Sequence, residues 1–189
     1  MIQVTWEWLG QAPALDLANT VAVVDGEEHD LIGSSEDYAR WARSEVKFLP
    51  HDSSQLLLQA RRALMDLRAA VRDLLAAVVT TDRLEAALTK ELNRVSRSAP
   101  QWLELDAGAS LELRERSSGN AVDGLLAHYA RSAMEVVVYD ANHLRRCPAP
   151  SCGMFYMSSR PDQRWCSTQC GTRARVARHY NRRRRPLAS

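Results

Sequence analysis

The feature that most restricts this chain is the placement of its four cysteines. All lie within 24 positions of a 189-residue sequence, as Cys147-Pro-Ala-Pro-Ser-Cys152 and Cys166-Ser-Thr-Gln-Cys170. The first pair flanks a Pro-rich turn followed by Gly153, which can aim two sulfurs at one point. The second pair is spaced i, i+4, which puts two sulfurs on one helical face. Zn²⁺ accepts four thiolates in a tetrahedron and then needs no other ligand. The spacing therefore predicts one structural Zn²⁺ per chain, held by Cys147, Cys152, Cys166 and Cys170. A closed four-sulfur shell has no position for a reactive water, so this zinc is expected to do no chemistry. Disulfides and free core cysteines are the competing readings, and the spacing does not match the common ferredoxin patterns.

Local signals around the cysteines fill in a module. Met154-Phe-Tyr-Met and Arg164-Trp165-Cys166 read as two short strands, with Ser158–Gln163 as their turn. Ser167 is placed to cap a following helix. A hairpin this small cannot bury enough surface to fold alone, so metal binding would supply its folding free energy.

Charge is distributed unevenly. Residues 145–185 hold eleven of the 25 basic residues, all Arg, and one of the 23 acids, Asp162. That stretch carries about +10 and the remainder about −8, the pattern of an acidic body with a basic arm that seeks a polyanion. Laid out at about 100° per residue, a helix after Cys166 puts Cys166, Cys170, Ala174, Ala177 and Asn181 on the metal side. Arg175, Arg178, His179 and Arg182 fall on the opposite face. Arg175, Arg178 and Arg182 are thus candidate contacts to DNA phosphates or guanine edges. Arg183, Arg184 and Arg185 suit electrostatic hold on a backbone. Arg145, Arg146, Arg164 and Arg173 have a competing role, because Zn²⁺ with four thiolates carries a formal −2 that guanidiniums can neutralise.

The rest of the chain reads as helical. Apolar residues make up 46% of the sequence, enough for a sizeable core. Pro13–Val21 can begin a helix, while Thr20–Val24 can equally be a strand before the turn Asp25-Gly26. Ser35 can cap a helix to about Val46, and Asp52 or Ser53 a long one to about Val79, with Leu57, Ala60, Leu64, Leu67, Val71, Leu74 and Leu75 at steps of three and four. Asp82 and Glu85 form a capping-box pattern for a helix to about Val95. Residues 102–105 and 111–114 alternate apolar and polar, as a β-hairpin with one buried face would. Asn120 can cap a last helix with Val122, Leu125, Leu126, Tyr129, Ala133, Val136 and Val137 facing inward. Trp6, Trp8, Trp41 and Trp102 are expected as core or interface aromatics. The expected fold class is α+β: a mainly helical domain with a small antiparallel β element over 1–143, then a four-cysteine zinc finger over 144–189.

At its cysteine module the chain resembles the CGNR zinc-finger family. The matching residues are Cys147-Pro, Cys152-Gly, Phe155, Arg164-Trp165-Cys166-Ser and Cys170-Gly171-Thr172-Arg173. Leu15-Asp-Leu-Ala-Asn-Thr20 resembles the opening motif of the ABATE domain that tends to precede this finger. The resemblance implies a stress-induced bacterial transcription regulator that binds DNA through a treble-clef-like finger. Thr172 stands where the family signature has Asn, which leaves the zinc ligands unchanged but any contact made by that Asn in doubt.

Double-stranded DNA is therefore the expected partner. An RNA-binding module, with Phe155, Tyr156 and Trp165 for stacking, and a protein–protein adaptor are the alternatives. No Gly-rich phosphate loop, nucleophile elbow or Cys/His dyad stands out, so no enzyme activity is expected; Asp16 and Asn19 could belong to a site or simply cap a helix. A homodimer and a small-molecule ligand of the N-terminal domain fit a regulator. The opening MIQVTWEWLG has no signal-peptide pattern and the longest apolar run is Leu74–Val79, so a cytoplasmic protein without a membrane span is expected.

Overall fold

The computed structural model describes residues 11–48, 54–80, 86–107 and 111–184. The expected caps at Asp52 or Ser53, the Asp82–Glu85 pattern, Trp6, Trp8 and Arg185 lie outside them. Both readings of the opening segment hold, in succession. Helix α1 runs over Pro13–Ala18, and strands β1 (Val21–Val24) and β2 (Glu27–Asp30) pair antiparallel with Val24 opposite Glu27. Asp25 and Gly26, at φ 52° and 90°, make the two-residue turn whose twist suits a hairpin.

Helix α2 (Ser35–Glu45) is capped by Ser34, one residue earlier than the sequence pattern indicates; the Ser34 hydroxyl accepts from the Asp37 N–H. Helix α3 (Ser54–Thr80) is the spine of the body. All seven of its expected inward residues are buried, and α1, α2, α4 (Ala86–Ser98) and α5 (Ala121–Tyr139) pack around it. Asn120 caps α5 by accepting from the Asp123 N–H, and the Ser132 hydroxyl of α5 takes the Ala14 N–H of α1.

Two buried tyrosine hydroxyls inside this core are matched. The Tyr38 hydroxyl donates to the Leu57 carbonyl at 2.6 Å, and Tyr129 donates to the fully buried Glu45 at 2.8 Å. Burial, and then the Glu45 charge, push the Tyr129 hydroxyl well above its ordinary pKa, so it stays a donor. Two α3 arginines hold the β1–β2 hairpin. Arg68 grips both oxygens of Asp30 at 2.8 and 2.6 Å and reaches Thr20 Oγ1 at 3.0 Å. Arg72 donates to the Ala18 carbonyl at 2.9 Å and pairs with Glu28.

Strands β3 (Gln101–Ala107) and β4 (Leu111–Ser117) pair as expected, with Leu105 opposite Leu113. Their apolar face is not buried, contrary to the expectation from alternation, and Trp102 is exposed rather than core. Alternation reports that one face is apolar; it does not report what covers it. Among the described residues, no helix is long and apolar enough to cross a membrane.

The Arg68–Asp30 pair generates a pH prediction. Burial works to raise the Asp30 pKa, but the hydrogen bond and charge of Arg68, the Ile32 N–H and Arg61 together lower it. A depressed folded pKa contributes stability that is complete above the unfolded value near ~4 and is lost as pH falls through the folded value. Asp30→Asn is therefore expected to lower stability at pH 7 and to flatten the loss below about pH 4. Thermal denaturation of both proteins at matched pH checks this.

Candidate metal centre and basic helix

The zinc module is built at the C-terminal end of α5. Strand β5 (Leu144–Arg146) pairs antiparallel with β6 (Phe155–Met157), and the loop between them carries Cys147 and Cys152. The expected strand at Arg164–Cys166 does not form. β6 finds its partner before the first cysteine pair instead, because Cys147 donates its N–H to the Met154 carbonyl at 2.8 Å and closes a tight knuckle. Helix α6 (Thr168–Arg184) follows, capped by Ser167, whose hydroxyl accepts from the Cys170 N–H at 3.2 Å. Of the second pair only Cys170 is helical; Cys166 sits just ahead of the cap.

The four sulfurs all lie within 4.8 Å of one another. Cys152–Cys166, Cys166–Cys170 and Cys170–Cys152 separations are 3.7, 3.5 and 3.6 Å. A tetrahedron with Zn–S bonds of about 2.3 Å has edges of about 3.8 Å, so the donor set fits one structural zinc ion. The thiol chemistry agrees. Hydrogen bonds from Cys152 and Cys166 hold the Cys147 thiol well below its ordinary value, whereas the same contact with Cys147 pushes Cys152 and Cys166 upward. Thiols this close do not all ionise without a cation among them.

The arginines around the cluster separate by role. Arg173 donates to Cys170 Sγ at 3.0 Å, so it serves the sulfur shell. Arg146 donates to the Gly153 carbonyl and lies 5.6 Å over the Phe155 ring, bracing the knuckle. Arg145 donates to the Leu144 carbonyl. Arg164 is exposed and lines the grooves on either side of Trp165. On α6, Arg175, Arg178, Arg182 and Arg183 are placed along the helix beyond the cluster, all four exposed, with Arg178 at the edge of the Trp165 groove; Arg184 ends the helix. Thr172 accepts a hydrogen bond from Arg175 at 2.9 Å and donates to the Thr168 carbonyl, so the residue that replaces the signature Asn steers an arginine. Phe155 and Tyr156 are buried, which removes them from the stacking role open to them in the sequence; Trp165 is half-buried beside Gly171, where a Cβ would come within 3.3 Å of its ring.

The module is fastened to the body by two side-chain amides. The Asn19 carboxamide donates to the Phe155 carbonyl at 2.9 Å and accepts from the Phe155 N–H at 2.8 Å. Gln11 makes the same pair with Met157, at 2.9 and 2.7 Å. A carboxamide carries one acceptor and donors, like a peptide group, so these residues complete the open edge of β6 as a third strand would. Val23 of β1 adds an N–H to the Cys152 carbonyl at 3.2 Å. Gly153 permits that approach: its φ is +69°, and a Cβ there would meet Val23 Cγ2 at 2.8 Å. Leu144 and Phe155 belong to the body's own core. Asn19 thus does end α1, but its side chain holds the finger, a role no spacing rule signals.

A model of the ABATE family, described as a putative stress-induced transcription regulator, matches residues 11–140, and one of the CGNR zinc finger matches residues 143–183. The chain belongs to the ABATE family. No curated protein matches it. In this ABATE chain the CGNR signature residues have separate physical tasks: Cys170 supplies a sulfur, Gly171 gives room to Trp165, Thr172 holds Arg175 and Arg173 meets Cys170.

Asn19→Ala should leave two buried backbone groups of Phe155 unpaired and cost about 2–4 kcal/mol. Urea denaturation measures the loss, and elemental analysis of the folded variant should still give about one zinc per chain.

Proposed function

We propose that this chain is a DNA-binding transcription regulator in which a structural zinc, held by Cys147, Cys152, Cys166 and Cys170, seats α6 against duplex DNA. The observation that carries the reading is the row of Arg175, Arg178, Arg182 and Arg183 on a helix whose first turn is tied to the sulfur cluster. A helix fixed at one end and basic on its free faces can enter a major groove or lie along phosphates. Arg184 and Arg185 extend the same charge, and Arg164 lies beside it in the groove formed with Pro148, Trp165 and Arg178. Arg173 is assigned to the sulfurs rather than to DNA.

In this proposal the body over 1–143 and the finger over 144–189 are functional divisions of one packed structure. A cytoplasmic location and a ligand of the body that shifts DNA affinity belong to the same reading. Single-stranded RNA is the weaker alternative, because Phe155 and Tyr156, two of the three aromatics the sequence offers for stacking, are buried.

Fluorescence anisotropy of the zinc-loaded chain on duplex DNA across salt concentrations tests it. Four phosphate contacts give a log–log salt slope of about −3.6. Arg178→Ala is expected to reduce the slope by about one and weaken binding roughly 5- to 100-fold. Binding that ignores salt, or an unchanged affinity in Arg175→Ala and Arg178→Ala, would sink the assignment of this face. A single-stranded RNA that outcompetes duplex DNA would transfer it to RNA.

A further inference from the structure

The β3–β4 hairpin has two unlike faces. On one, Arg114 pairs with Asp106 at 3.2 Å and Glu112 at 3.0 Å, Arg116 pairs with Glu104 at 3.0 Å, and Trp102 Nε1 donates to Glu104. These charges are spent on one another. On the other face stand Leu103, Leu105, Leu111 and Leu113, with Ala107. The four leucines are 64, 72, 75 and 64% exposed. Among the described residues, neither strand has an extended contact with any helix.

The hairpin is nonetheless rigidly rooted. Ser118 donates its N–H to the Pro100 carbonyl at 3.0 Å, and Gly119, at φ +103°, lets Ser98 approach so closely that a Cβ would lie 2.9 Å from its carbonyl oxygen. A two-stranded ribbon with four bare leucines is marginal by itself in water and gains stability when its apolar face is covered.

We propose that this leucine face is the dimer interface, covered by the same face of a second copy of this chain. Three observations select that occupant. The face is self-complementary: a two-fold axis near the Leu105–Leu113 pair brings leucine onto leucine from both protomers. Its centre is uncharged, so a nucleic acid has nothing to bind there. Its size suits: the leucines expose on the order of 500 Å², the upper part of the range for the largest patch on a monomer. A standard interface needs about 800 Å² per partner, with a dry centre and a polar rim; the leucines supply the centre and the flanking charged positions the rim. The hairpin leads into the N-terminal end of α5 while the finger follows its C-terminal end, a helix of 19 residues away, so this contact leaves both zinc modules uncovered. It forms on the protein alone and does not depend on DNA binding.

Sedimentation velocity of the zinc-loaded full chain without DNA, from about 1 to 100 µM, is the test. The chain is expected to be dimeric in that range. Leu105→Glu and Leu113→Glu should each weaken the dimer at least about 100-fold, because each buries an unpaired carboxylate at a dry contact. Glu112→Gln, on the opposite face, should leave it intact. A wild-type chain that stays monomeric to about 100 µM overturns the proposal, as does a folded Leu105→Glu protein that remains dimeric. Where a charged variant fails to fold, hydrogen exchange of the wild type decides. Amides 103–105 and 111–113 must slow as concentration rises; unchanged exchange at these residues refutes the interface.

Discussion

Two strands of three residues cannot satisfy their own peptide groups on both edges, and every part of the zinc module follows from how that problem is met. β5 covers one edge of β6. On the other edge Asn19 and Gln11 place carboxamides where a third strand would put peptide units, and Phe155 and Met157 are satisfied. The loop between the strands is pinned by the sulfur cluster from within and by Val23 from outside. Metal and body therefore hold the same short hairpin from different sides. The two supports differ in kind: a structural zinc contributes folding energy where no core is available, and buried hydrogen bonds are most costly when one partner is removed. Together they fix a short element that would not otherwise persist.

That fixed element gives α6 its bearing. The helix has few apolar contacts of its own; Ala174 packs on the cysteine cluster, while Val176 and Tyr180 are exposed. Its first turn is located by Cys170, the Ser167 cap and the Arg173–Cys170 contact, and everything beyond projects. An arginine-rich helix anchored in this way keeps its charge available, because the acids of the chain lie almost entirely in the body, where Asp30, Glu28 and Glu45 are committed to partners there. The proposed division of labour, with a body that associates and a finger that meets the polyanion, rests on this spatial separation of charge.

Much of this was legible in the residues. Cysteine spacing identified the metal cluster because sulfur geometry at zinc allows few alternatives, and the three-and-four periodicity of α3 located each of its seven core positions. The alternating hairpin was paired in register, yet its apolar face is bare, since alternation carries no information about what lies opposite. The strand expected at Arg164–Cys166 lost to β5, whose Leu144-Arg-Arg sequence shows little strand character by itself and forms where the knuckle demands a partner. Asn19 and Gln11 were the least legible: their partners lie 136 and 146 positions away, and Asn19, just after a short helix, ordinarily reads as a cap.

The central claim is that zinc and the body jointly hold β6. Its most direct test is hydrogen exchange of the Val23, Phe155 and Met157 amides in the zinc-loaded chain and after chelation. These three donate across the junction, to Cys152, Asn19 and Gln11. The account predicts that removing zinc accelerates exchange at all three, Val23 included, although Val23 lies in the body. Continued protection of the three amides in the metal-free chain would contradict it, and would show that the junction stands without the ion.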